Sequence, residues 1–355
     1  MSTANVSALS ASKRSLEISL AAIIAVSVLL IFWSQQRYPA LMKKFHSGTH
    51  LTTQGPLSFD AIVAVSPEMP PATRVLRTGT NWMYTNRFGM LFAVSFGAAM
   101  MTLLAYTRIP TKFSSAAGNV LCGAAVGAPM GICSNCASPV GRGLLARGTS
   151  SRLTVAAMIS SPSLNPIVLA MAFVLFPLPL AMIRLIVPIA LLAMLPILVP
   201  EIDRKSIGIE PTPLTRNMSK RIGMFFVKFL ENLARLTLHT LPWMLLAALV
   251  GALVGELIPA YGTHIPVSLL GIVCVAILGT LLPMPIAFDI ALAYVLYHAG
   301  ISTVYIAVLL STLGPVSVMS LSVLGHELGH RISLKLGGAT AILGCIAGLV
   351  MTLLH

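Results

Sequence analysis

The sequence predicts an all-α polytopic membrane protein built from two inverted structural repeats with broken helices. Three observations predict it. Of 355 residues, 56% are hydrophobic and 9% are charged, whereas a soluble domain carries about a quarter charged residues. Apolar runs of about 20 residues, the length that crosses a bilayer, recur along the chain. Two stretches break those runs with Pro, Gly and Ser in the same order.

The composition also excludes several classes. The net charge of +13 does not point to nucleic acid, because Lys and Arg are spread through short loops and not gathered on one polar domain. Five cysteines, an odd count, set no disulfide framework. Cys122, Cys274 and Cys345 lie alone in apolar runs and read as packing residues. No phosphate-binding loop of the G-x-x-x-x-G-K-[ST] kind is present, so any transport is expected to run on a gradient or on another subunit. No cofactor is expected.

Taken in order, the first span covers residues 16–34. Lys13 and Arg14 precede it and no small-residue cleavage site follows Trp33, so it reads as an uncleaved span. Residues 35–86 are polar and carry Pro56, Pro67, Pro70 and Pro71, too broken to cross. Spans follow at 88–106 and 116–132, with the basic loop 107–115 between them. Ser138-Pro139 reads as an N-cap followed by Pro at the first helical position, opening a half-helix that ends at Arg147. Residues 152–176 form a span interrupted at Ser160-Ser161-Pro162 and Asn165-Pro166, and 178–199 form another that carries Arg184. The charged stretch 201–223 is the boundary between halves. Beyond it, 224–238 is amphipathic, with Lys228, Glu231 and Arg235 on a helical repeat. Spans are expected at 239–258 and 266–282. Pro283-Met284-Pro285 then breaks the chain before a short helix at 286–299 with Asp289. Residues 302–324 form a span interrupted at Gly314-Pro315, 325–335 are polar, and 338–354 close the chain. This makes about nine full spans plus two short helices. The domain division is 1–115 for the N-terminal spans and an external loop, 116–200 for the first repeat, 201–223 for a cytoplasmic linker and 224–355 for the second half.

The two broken regions answer each other. Pro129-Met130 matches Pro283-Met284, Asn135 matches Asp289, and Gly148 and Ser150 match Gly300 and Ser302. Arg108, Lys112, Arg147 and Arg152 flank the first copy, while 258–265 and 299–303 around the second hold no Lys or Arg. Basic loops stay cytoplasmic, so the copies take opposite orientations. Inverted repeats whose broken helices meet near the midplane build secondary transporters. The expected location is a cell inner membrane, with the N-terminus cytoplasmic and the C-terminus external.

The stretch 129–166 concentrates the residues able to do chemistry. Irregular backbone at membrane depth persists where it is buried in protein or lines a wet cavity. Cys133 and Cys136 flank Asn135 in a Cys-x-x-Cys. Thiolates at a helix start make a soft ligand pair for metals and metalloids. The same spacing serves thiol exchange, or simple packing at a tight turn. Arg142 lies between two glycines and is placed to attract an anion. Ser160, Ser161 and Asn165 offer hydroxyls and an amide to a cavity, or hydrogen bonds between helices. Asp289 reads as a proton-coupling carboxylate or the partner of Arg142 or Arg184. A rival motif is His326-Glu327-Leu328-Gly329-His330, an H-E-x-x-H. On one helix it sets two imidazoles toward a zinc with Glu as base. Arg331 and Lys335 follow it at once, and no Asp or Glu lies beyond Glu327 to act as a third ligand.

The run C-S-N-C-A-S-P-V-G-R-G-L-L-A-R-G, then S-S-P-S-L-N-P, resembles the predicted-permease family that includes the organoarsenical efflux permeases. The similarity lies in Cys133, Cys136, Pro139, Arg147, Gly148, Ser161 and Pro162. It is firm over 116–200, weaker over 266–324 and absent over 1–86. Asn135 between the cysteines departs from the spacing of the arsenical exporters. The resemblance implies a secondary permease for a small soft metal- or metalloid-containing solute or anion. Its partners would be that solute, the bilayer and a second copy or accessory subunit. The alternatives are an intramembrane zinc protease and a membrane thiol-redox protein.

Overall fold

The computed structural model describes residues 15–32, 34–35, 38, 62–106, 113–146, 148–202, 218–261, 266–284 and 288–354. Helices fill most of them, and no strand occurs among them. Part of the 35–86 segment and the linker stretch 203–217 lie outside the described residues, as does Arg147.

Three helices come from the flanks of the two broken regions. α1 (Ser15–Phe32) carries Glu17 in its first turn. The Glu17 carboxylate takes two bonds from Arg221, at 2.7 and 2.6 Å. That ties α1 to the start of α8 (Met218–Tyr261). α2 runs from Pro71 to Tyr106, so about the last third of the expected polar segment, 71–86, is helix. Pro at the first helical position is the reason: its fixed φ starts the helix and its missing N–H is not needed there. The Asn81 side chain accepts from the amides of Ile62 and Val63 and donates to the Val63 carbonyl. This pins the incoming chain to α2. The amphipathic stretch and the following expected span are likewise one helix, α8, starting at Met218. With 36 and 44 residues, α2 and α8 exceed the roughly 20 needed to cross. They pack on each other, joined inside by the bond from Asn232 to Thr102 at 3.0 Å.

The first broken region comprises α3 (Ala116–Met130), α4 (Ser134–Ala146), α5 (Ser151–Ser163), α6 (Pro166–Leu175) and α7 (Leu178–Leu198). The second comprises α9 (Leu269–Leu281), α10 (Phe288–His298), α11 (Thr303–Thr312), α12 (Val318–Leu328) and α13 (His330–Leu353). In each, the short second helix ends at a left-handed glycine, Gly148 (φ 78°) or Gly300 (φ 85°). That backbone excludes a Cβ at little cost only for Gly. Two residues on, Ser150 or Ser302 caps the next helix with its hydroxyl. The interrupted helices are then restarted by Asn165 and Ser317 as N-caps. Packing repeats too. A Cβ on Gly127 would run into Ser160 Oγ and the Ala157 carbonyl, and one on Gly279 would run into Thr312 Oγ1. So α3 lies directly on α5, and α9 on α11, as small residues allow between membrane helices. The pairs Gly127/Gly279, Gly148/Gly300, Ser150/Ser302, Ser160/Thr312 and Asn165/Ser317 all share one separation along the chain.

Among the described residues, three segments are long and apolar enough to cross a membrane: Ser151–Leu175, Leu178–Leu198 and His330–Leu353. The last begins earlier than the expected 338, because α12 and α13 absorb the stretch 325–335 and only Gly329 interrupts them. The chain is a multi-pass helical membrane protein by these segments and its composition.

The close approach at Gly127 gives a direct test. Gly127→Val should destabilise the purified protein by about 1–3 kcal/mol through overpacking. Gly338→Ala, on the open face of α13 with nothing within 4 Å of its Cβ position, should be neutral or gain about 0.4–1 kcal/mol. Thermal unfolding in detergent reads both, and equal effects would contradict the packing of α3 on α5.

Candidate functional site

The α3–α4 break holds the first group of residues. Gly131 turns left-handed (φ 61°), and Ile132 and Cys133 follow outside any helix. The Ile132 amide donates to Ser161 Oγ at 3.1 Å, and the Ser161 hydroxyl lies 3.1 Å from the Ile132 carbonyl it donates to. One side chain of α5 therefore occupies both backbone groups of the break. α4 begins at Ser134 and not, as expected, after an N-cap at Ser138. Cys133 is the reason: its carbonyl accepts from Ala137 at 2.9 Å and its sulfur from the Cys136 amide at 3.3 Å. Pro139 then sits inside the helix, and the Ser138 hydroxyl donates to the Ser134 carbonyl at 2.7 Å.

Cys133 and Cys136 are buried free thiols with their sulfurs 2.9 Å apart. Asn135, equally buried, accepts from the Ser317 hydroxyl at 2.8 Å. Ser317 caps α12 in a capping box with Ser320. Asn165 caps α6, and its amide nitrogen would be 2.8 Å from a Cβ on Gly131. The starts of α4, α6 and α12 thus sit together. Each helix start presents unpaired N–H groups and partial positive charge. Among the described residues, Ser134 Oγ, Ser163 Oγ and Asn165 Nδ2 are buried without a hydrogen-bond partner. Ser160 is fully buried and its hydroxyl makes only a long bond of 3.4 Å to the Ala157 carbonyl.

A second buried group lies beside the first. Arg184 of α7 is fully buried and Asp289 of α10 nearly so. The guanidinium donates to Asp289 Oδ2 at 2.5 Å and to the Leu310 carbonyl at 2.8 Å. Gly314, in the α11–α12 break, gives it room: a Cβ there would collide with the guanidinium. Gly314 and Ser317 share that break, and three residues of extended chain reach about 10 Å at most. Arg184 was legible only as a possible partner of Asp289. Its signal was an arginine inside an apolar span, the costliest place for one.

Two sequence candidates lie elsewhere. The Arg142 side chain is 68% exposed and pairs with Glu327 at 2.9 Å. It lies outside the buried cluster, because position 142 falls toward the far end of α4 and the cluster is at its start. The contacts Asn135–Ser317 and Arg142–Glu327 run in the same order along both helices, so α4 and α12 are parallel with their starts together. The H-E-x-x-H motif does not lie on one helix. α12 ends at Leu328, Gly329 turns left-handed (φ 103°), and His330 opens α13. The two rings are 6.3 Å apart and line a cavity of about 710 Å³ between α9, α12 and α13, among Leu321, Ser322 and Gly337. Among the described residues no three His, Cys, Asp or Glu side chains are grouped to hold a metal ion.

No family model matches the chain, and no solved structure matches it. The chain is similar to the UPF0718 protein YraQ of Escherichia coli (strain K12), with 28% identity over 218 residues. The match covers 61% of this chain and 63% of that protein, less than two thirds of the relative's length.

Glu327 faces an exposed arginine and not a second imidazole on its own helix. Glu327→Gln should therefore change stability by about 1 kcal/mol or less. After incubation with zinc and desalting, the wild type should hold no more metal than His326→Ala. A full equivalent of zinc that this variant loses would restore the metalloprotease.

Proposed function

We propose that the protein is a secondary permease that moves a small soft metal- or metalloid-containing solute or anion through a site at the junction of its two halves. The observation that carries this is the meeting of three helix starts, α4, α6 and α12, around buried polar atoms without partners. Broken helices with facing starts are how transporters hold charged solutes at membrane depth. The relationship of the halves fits the same function. α4 packs on α12, and α10 packs on α6, so each copy's short helix meets the restarted helix of the other. We take the copies to be inverted, with 1–115 as an N-terminal addition and 201–223 as a cytoplasmic linker. The basic residues Arg142, Arg331 and Lys335 lie beyond the starts of α4 and α12, toward the side that the charge rule makes cytoplasmic. On this basis the protein lies in a cell inner membrane, with about nine spans, and works alone, as a homo-oligomer or with an accessory subunit. The resemblance of residues 116–200 to predicted permeases supports the same class.

The sulfur contact in Cys-x-x-Cys favours one second possibility, a thiol-redox protein, because two sulfurs 2.9 Å apart need little motion to exchange. Cysteine variants separate the two. In a permease for a soft solute, Cys133→Ser and Cys136→Ser should each weaken transport and together weaken it further, since a hydroxyl is a poor soft ligand. In a redox protein either change alone should abolish activity, because exchange needs both sulfurs. The substrate is found by growth and accumulation of metal and metalloid salts in cells with and without the protein. Identical accumulation across that panel would refute the soft-solute permease.

A further inference from the structure

The Arg184–Asp289 pair is the one ion pair in the described residues with both side chains almost wholly buried. Buried ion pairs persist at low cost when every remaining donor and acceptor is satisfied. Here neither member is. Arg184 Nε and Asp289 Oδ1 have no hydrogen-bond partner among the described residues. The missing Cβ at Gly314 lets the guanidinium lie directly against that backbone, where a Cβ would come to 2.5 Å from it. Gly314 belongs to the same five-residue break as Ser317, which bonds Asn135 at the start of α4. A permanent positive charge thus stands beside three helix starts, neutralised by a single carboxylate.

That arrangement is built for exchange of one anion for another. A guanidinium presents a fork of donors that fits an oxyanion as well as a carboxylate. Asp289 can leave it only by becoming neutral, because an ionised carboxylate freed in this apolar setting faces no other cation among the described residues. α6 contributes no ionisable side chain to its surroundings, and α11 only Tyr305, whose hydroxyl donates to the Pro266 carbonyl. α8 meets α10 around Gly251 and Phe288, and the side chain of its Glu256 lies outside the described residues. Tyr294, Tyr297 and His298 lie farther along α10 itself. α2 meets α10 through Trp82 and Phe288, and its Arg87 is exposed and stacks on Tyr84; among the described residues Arg184 is the cation facing Asp289.

We propose that Arg184 is an anion-binding residue held in reserve by Asp289, and that uptake of one proton by Asp289 transfers the guanidinium to a small oxyanion. The step balances. The carboxylate gains a proton and becomes the acid, its ionic bond to Arg184 breaks, and the entering anion forms the new one. One proton accompanies each negative charge that the carboxylate gives up. The step deepens the proposed permease by naming a proton as the coupling ion and an oxyanion as the solute, and it rests on that function only for its purpose. Binding itself needs no transport.

The test uses full-length protein purified in detergent, with selenate and sulfate as probes, since both stay dianionic between about pH 5.5 and about pH 8. Titration calorimetry on the wild type should show at least about tenfold tighter binding at the lower pH, with one proton taken up per anion in weakly buffered solution. Asp289→Asn should bind as tightly as the wild type at low pH and lose the pH dependence. Arg184→Gln should lose binding at both, and Arg184→Lys should recover part of it. A purely structural pair predicts instead that Asp289→Asn and Arg184→Gln fail alike. Should the variants not fold, the wild-type measurement still decides. Absence of oxyanion binding, or binding with neither pH dependence nor proton uptake, overturns the proposal. Proteoliposome flux separates the two ideas: a soft solute carried without proton-linked anion binding keeps the permease and removes this step. Proton-linked binding without flux keeps the step and removes the permease.

Discussion

Backbone groups inside an apolar protein have no water to turn to, and this constraint orders the whole molecule. Each time a helix stops at membrane depth, its free N–H and C=O groups need partners from elsewhere in the chain. Ser161 supplies two at once to Ile132. Asn165 and Ser317 supply the restarting helices. Asn135 closes the network by joining a break in one half to a break in the other. Satisfying a break therefore fixes where the halves meet. It also gathers several buried polar side chains into one place, so capping and the candidate site are built from the same residues.

Close approach does the remaining work of assembly. Lipid tails are as apolar as leucine, so helices in a bilayer gain contact mainly by letting backbones come near each other. Gly127 against Ser160 and Gly279 against Thr312 put a small residue opposite a hydroxyl at matching positions. The hydroxyls there serve two ends: they are small, and Thr312 donates to its own helix at Val308. The same logic holds at Gly314. There the missing Cβ admits a guanidinium, which turns a packing device into space for a charge.

Much of this was legible in the sequence, and what was missed has physical causes. The Gly-x-Ser at 148–150 and 300–302 marked both helix changes, because a left-handed glycine followed by a capping serine has few other uses. The interruptions at Ser160-Ser161-Pro162, Asn165-Pro166 and Gly314-Pro315 marked the breaks within spans. The start of α4 was misplaced because Ser138-Pro139 is a good local cap, yet Cys133 and its sulfur captured the helix a turn earlier. α2 and α8 were divided because hydropathy changes along them while helix propensity does not. Arg142 reads as an anion site because it follows the expected helix start at Ser138. In the fold it pairs outward with Glu327. Arg184 and Asp289 lie far apart in sequence, yet two charges in apolar runs marked them as one possible pair, and α7 and α10 bring them together.

The thiols and the helix starts compete for the same charge. A thiolate at Cys133, whose sulfur already accepts from the Cys136 amide at the start of α4, would spend the positive potential that an anion needs. In the proposed permease, neutral thiols would leave the junction to an anion held by helix starts, Asn165 and Arg184. With a thiolate it favours a soft, electron-poor centre held by sulfur. In the proposed permease these are alternative charge states of one junction. The proton that moves to Asp289 adds positive charge close by, and so bears on both. A solute joining a thiophilic centre to an oxyanion would use the two chemistries in turn: its negative oxygens at Arg184 while the thiols stay protonated, and its soft centre at sulfur once a thiol proton has left.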